Sequence, residues 1–92
     1  MRFCWDHKKA AANKRKHGVT FEEAASVFYD PLAMLGPDPD HSRNEDRLIM
    51  IGQSRQQRLL FVVHLYAEDA ELIRIISARR ATAKERRAFE CL

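Results

Sequence analysis

The chain has 92 residues, room for one domain around one hydrophobic core, and its 46% hydrophobic and 32% charged residues exclude wholesale disorder. No apolar run approaches the roughly 18–20 residues of a membrane span, and the charged stretch that follows Met1-Arg2-Phe3-Cys4-Trp5-Asp6 leaves no signal-peptide core, so a cytoplasmic protein with no membrane partner is expected. The net charge of +3 is uneven: residues 1–20 carry six Lys/Arg against one acid, residues 21–57 three against seven, and residues 58–92 seven against five.

Arg2 to Trp5 reads as a short strand with Phe3 and Trp5 alternating, and Asp6 is placed to cap a helix over His7 to His17. Gly18 sits where that helix must end in a positive-φ residue. Thr20 and Glu23 have capping-box spacing and open a second helix through Phe28, stopped by Asp30-Pro31. Leu32 to Leu35 reads as a strand, followed by an irregular acidic loop at Gly36-Pro37-Asp38-Pro39-Asp40. Strands are predicted over Arg47–Gln53, Arg58–Tyr66 and Glu71–Arg79, joined by four-residue loops that make them an antiparallel meander. Thr82 and Glu85 repeat the capping-box spacing and start a last helix to about Cys91. The expected class is α+β: a mostly antiparallel sheet packed with two N-terminal helices and one C-terminal helix, in the order β-α-α-β-β-β-β-α, spanning residues 1–92 as one domain.

If both short loops close symmetrically, Gln53 faces Arg58, Ile49 faces Val62 and Arg47 faces His64, while Tyr66 faces Glu71 and Arg58 faces Arg79. One face then gathers Leu48, Met50, Leu59, Phe61, Val63, Leu65, Leu72, Ile76 and Ala78, with Arg74 its only charge, and is the expected core. The other sets Arg47, Gln53, Arg58, His64, Ser77 and Arg79 around Ile49, Ile51, Leu60, Val62, Ile73 and Ile75. That half-polar face is the one expected to receive a ligand or partner.

Glu45, Arg47 and His64 form one candidate constellation. A histidine titrates near neutrality, a guanidinium grips phosphate through parallel hydrogen bonds, and a carboxylate orients either. These are the parts for metal-free RNA cleavage: a base for the 2′-hydroxyl proton, a cation for the phosphorane and an acid for the leaving oxygen. The same residues also make an ordinary salt-bridged strand pair beside a histidine. Arg79 and Arg80, continuing into Lys84, Arg86 and Arg87, are a candidate phosphate-tracking stripe, although cations near a helix C-terminus also answer its dipole. Lys8, Lys9, Lys14, Arg15, Lys16 and His17 are a solvated helix face or, at Lys16 and His17, a phosphate contact. No metal or other cofactor is expected: Cys4 and His7 have C-x-x-H spacing without a second ligand pair, and the three glycines are isolated.

The segment Ile73-Arg74-Ile75-Ile76-Ser77-Ala78-Arg79-Arg80-Ala81-Thr82, with Glu85-Arg86 and Phe89-Glu90, resembles the C-terminal signature of the BrnT family of bacterial toxins. Trp5-Asp6, Lys9, Asn13, Lys16-His17-Gly18-Val19, Phe21-Glu22-Glu23-Ala24, Val27-Phe28 and Asp30-Pro31 resemble its opening segment. Asp40-His41-Ser42, Glu45, Arg47 and Gly52 match its middle in the same order. The resemblance implies a RelE-like fold and a type II toxin that cuts RNA without a metal and thereby lowers translation. It also implies neutralisation by a BrnA-type antitoxin, operator DNA reached only through that antitoxin, and a homodimer within the complex. On this reading His64 is the acid or base, Arg47 the transition-state cation and Glu45 the orienting carboxylate, with Lys16, Arg79 and Arg80 holding RNA. The stretch Leu65-Tyr66-Ala67-Glu68-Asp69-Ala70 departs from the family pattern, having neither the arginine nor the glycine usual there. That departure leaves a second reading, a module that binds antitoxin or RNA without cutting.

Overall fold

A computed structural model describes residues 1–39, 46–67 and 71–91. Its elements run β1 (Arg2–Cys4), α1 (His7–His17), α2 (Phe21–Ser26), a 3-10 turn (Val27–Tyr29), β2 (Met34–Pro37), β3 (Leu48–Gln53), β4 (Leu59–Ala67), β5 (Leu72–Arg80) and α3 (Ala83–Glu90). The strands form one mixed sheet in the order β1-β5-β4-β3-β2, with β1 parallel to β5 and the other neighbours antiparallel.

Local chemistry sets the helix ends. The Asp6 carboxylate accepts from the backbone N–H groups of Lys8 and Lys9 at 2.8 and 3.1 Å, satisfying two donors that a helix start leaves open. Gly18 closes α1 at φ 69°, a conformation costly for a side chain. Thr82 and Glu85 make the complete reciprocal capping box on α3. At α2 only half of the expected box forms: Thr20 Oγ1 accepts from Glu23 N at 3.0 Å, but the Glu23 side chain turns elsewhere. Buried Asn13 locks α1 to the sheet, its amide donating to Val19 O and Ala78 O while its oxygen accepts from Ala78 N. These bonds occupy backbone groups that would otherwise be buried without partners.

The core lies between α1, α2 and one sheet face, built from Val19, Phe21, Ala24, Val27, Leu60, Val62, Ile75 and Ala78. Trp5 packs edge-on against Phe21, and Phe3 against Phe28, at ring separations of 5.9 and 5.3 Å. Gly52 lets the 3-10 turn close down on β3, since a Cβ there would stand 2.8 Å from Ala33 Cβ and 3.0 Å from Val27.

The expected register is corrected. Gln53 pairs with Leu59, Ile49 with Val63, and Leu48, not Arg47, with His64. The turn after β3 is the cause. Ser54 and Arg58 close it, Ser54 N donating to Arg58 O at 2.8 Å, and Gln57 adopts φ 62°. This is a three-residue hairpin loop ending in a left-handed residue, so the pairing shifts by one from a symmetric four-residue loop. On β4 the shift exchanges the two faces. Leu60, Val62 and His64 lie under the helices, while Phe61 and Val63 lie opposite. A second irregularity falls on β5, where Val63 pairs with Ser77 but His64 with Ile75, leaving Ile76 as an extra residue. Ile73, Ile75 and Ala78 are therefore all buried, and Phe61, not Arg58, stands opposite Arg79.

Because a glutamine in the left-handed region costs roughly 1–2 kcal/mol that glycine avoids, Gln57→Gly is expected to stabilise the fold by up to about 1 kcal/mol after its greater chain entropy is counted. Urea unfolding would show a higher midpoint at unchanged slope. A lower midpoint would contradict the turn assignment.

Candidate functional site

The proposed catalytic group is not assembled as expected. His64 is fully buried, wedged edge-on between the rings of Phe28 and Tyr66 at 4.7 and 5.3 Å. Its Nδ1 lies 3.3 Å from Val62 O, while its Nε2 has no hydrogen-bond partner among the described residues. Burial pushes its pKa below the ordinary histidine value, against the weaker opposing effect of the Val62 carbonyl, so the ring is held neutral within the core. Arg47 stands half-buried just before β3, beside Leu48 rather than across from His64. Glu45 lies outside the described residues.

The predicted phosphate ligands also divide. Arg79 and Arg80 are strand neighbours and point to opposite sides of the sheet. Arg79 lies 4.0 Å over the Phe61 ring and makes a two-pronged pair with Glu85 at 2.8 and 2.9 Å, fastening the start of α3 to the far face. That pairing holds the Glu85 carboxyl low against the cost of burial. Arg80 is exposed, and among the described residues its guanidinium makes no hydrogen bond or ion pair. Lys16 is likewise exposed, in the last turn of α1, with His17 half-buried behind it.

One group missed by the sequence reading organises this end of the molecule. The Glu23 side chain is 3% exposed, and its carboxylate receives Arg58 Nε at 2.9 Å, Arg58 Nη2, and the Ser54 hydroxyl at 2.7 Å. Arg58 Nη2 also donates to Gly18 O at 3.0 Å. The pair thus joins the start of α2, the α1–α2 turn and the β3–β4 turn. Hydrogen bonding from Arg58 holds the Glu23 carboxyl below its ordinary range. Burial opposes this, while Ser54 and the charge of Arg80 assist. The sequence did carry a signal: a glutamate in a helix's first turn, and an arginine bordering a strand. Their separation of 35 positions hid the contact.

Arg58 and Arg80 stand at one end of the sheet, where β4 begins and β5 ends, and α1, with Lys16 and His17 in its last turn, finishes at the same end. This basic end can hold polyanion phosphates. Among the described residues, no three His, Cys, Asp or Glu side chains are gathered as metal ligands would be, and no helix is long and apolar enough to cross a membrane.

A small α+β fold with a basic end and a sealed core histidine has known relatives. The family model of the BrnT ribonuclease toxins of type II toxin–antitoxin systems matches residues 5–85, and the chain belongs to that family. Its structure is similar to the crystal structure of the Brucella abortus ribonuclease toxin BrnT, with a TM-score of 0.69 and 26% identity, covering 89% of this chain and 97% of that one. No curated protein matches the sequence.

The buried histidine makes stability depend on pH. Its folded pKa is depressed, so the unfolded chain takes up the proton first. The stability present above the unfolded pKa of about 6.5 is lost as pH falls, at up to about 1.4 kcal/mol per pH unit. His64→Leu, which also removes the unpaired Nε2, is expected to lose this component of the acid sensitivity. Urea unfolding at a series of pH values compares the two proteins, and parallel profiles would show that His64 is not the titrating group.

Proposed function

We propose that this chain is a metal-independent endoribonuclease of the cytoplasm that lowers translation by cutting RNA, built on a fold of the RelE group. A BrnA-type antitoxin would hold it inactive, carry the operator DNA contact, and bring two copies of the toxin together. The observation that carries this reading is the family match over residues 5–85, and the basic end supports it by supplying a place for RNA.

Lys16 and Arg80 hold phosphates on either side of the cleaved bond. His17 takes the proton from the 2′-hydroxyl as its oxygen attacks phosphorus, and a proton passes to the 5′-oxygen as the old bond breaks. Water supplies the proton that the leaving 5′-oxygen takes up, and the products are a 2′,3′-cyclic phosphate and a free 5′-hydroxyl. Arginines supply the positive charge that the phosphorane needs, so no metal enters the reaction. The proton-transfer role expected of His64 passes to His17, because RNA reaches His64 only if the Phe28 and Tyr66 rings part.

Partner-free, folded protein is expected to cleave total RNA in excess EDTA, leaving cyclic phosphate ends. His17→Asn should slow turnover by roughly 100-fold or more while unfolding as the parent does. Equal rates would move the proton-transfer group away from His17. Binding of RNA with no cleavage at high protein excess would favour the non-cutting module.

A further inference from the structure

We infer that Arg58 and Arg80 together form a clamp for one RNA phosphate, with Glu23 as the residue that positions Arg58; this rests on the ribonuclease reading above. Arginine has five N–H donors in a rigid planar fork. In Arg58, Nε donates to Glu23, and Nη2 donates to both Glu23 and Gly18 O. The two Nη1 donors have no partner among the described residues, and the side chain is 26% exposed. The guanidinium is therefore fixed on one edge and open on the other.

Arg80 supplies the second arm. It stands opposite Leu60, two positions along β4 from Arg58, and on the same side of the sheet. Its charge acts on the same Glu23 carboxylate, yet its own donors are uncommitted. One buried carboxylate thus answers the bound Arg58 guanidinium and leaves the charge of Arg80 in excess. A dianion would exceed that local charge, whereas a phosphodiester carries the single negative charge that matches it.

Ordering is the second argument. A long basic side chain that must be immobilised on binding gives up rotamer freedom. Arg58 has already lost it to Glu23 in the free protein, so a phosphate meets a pre-arranged donor pair. Arg79, one residue from Arg80, lacks both properties: it faces away and is held by Glu85.

The test uses a short single-stranded RNA whose sugars are 2′-O-methylated at every position, so that it binds without being cut. Affinity is measured against salt concentration for the parent, Arg58→Lys, Arg80→Gln and, as a charge control at the other end of β5, Arg74→Gln. Arg80→Gln should weaken binding roughly tenfold or more and lower the salt slope by about 0.7, the contribution of one single-strand phosphate contact. Arg58→Lys keeps the charge and loses the fork. It should weaken binding with little change in slope, a pattern that lost stability alone does not produce at temperatures where thermal melts show every variant folded. Arg74→Gln should bind as the parent does. If the parent binds and cuts RNA while Arg58→Lys and Arg80→Gln bind as tightly as it does, the clamp is wrong and the ribonuclease reading stands. If the parent neither binds this oligonucleotide nor cuts RNA, both are overturned.

Discussion

Glu23 is a carboxylate removed from water, and that constraint governs much of what surrounds it. A buried unpaired charge costs several kcal/mol, so the fold must bring it donors. It does so from two directions, with the Arg58 fork from the head of β4 and the Ser54 hydroxyl from the β3–β4 turn. Meeting this demand costs α2 half of its capping box, because the side chain that would have reached back to Thr20 is engaged across the molecule. The same contact fixes the α1–α2 turn through Gly18 O. Three segments distant in sequence therefore depend on one ion pair, and the basic end of the molecule is assembled as a consequence.

Helices and strands were legible because each carried a local cause. Asp6, Gly18, Thr20 and Thr82 stop or start helices through bonds within a few residues, and these are the bonds the structure contains. Register was not legible, because its two determinants have weak signatures. Gln57 adopts a left-handed conformation more usual for glycine or asparagine, and Ile76 is an extra residue in a strand that looks uniform. Alternation could not compensate. The run Leu59-Leu60-Phe61-Val62-Val63 is apolar on both sides of the strand, so either assignment of faces satisfies its pattern. A shift of one residue then carried His64 from an expected open face into the core.

That shift changes the meaning of the histidine. On an open face, His64 would be a titratable group within reach of solvent. Between Phe28 and Tyr66 it is a neutral ring that fills space and leaves one nitrogen without a partner among the described residues. The arginines divide by a related logic. Strand alternation sends Arg79 to the far face, where Phe61 and Glu85 consume its cation, and leaves Arg80 on the side of Glu23 with no ion pair among the described residues. Two adjacent residues of one type thus have different uses, fixed by the irregularity at Ile76 that sets the parity of the strand end.

The basic end combines cations of two kinds, and the difference matters for a flexible polyanion. Lys16 and Arg80 are exposed and unrestrained; their attraction reaches through solvent for about one Debye length and favours encounter with no demand on geometry. Arg58 contributes little long-range field, since Glu23 neutralises it at close range. What it retains is direction: two N–H groups of known orientation beside a loose guanidinium. An RNA backbone drawn in by the first kind is placed by the second. Because Glu23 stays ionised well into the acid range, that placement persists at any pH where the proton chemistry of a histidine operates.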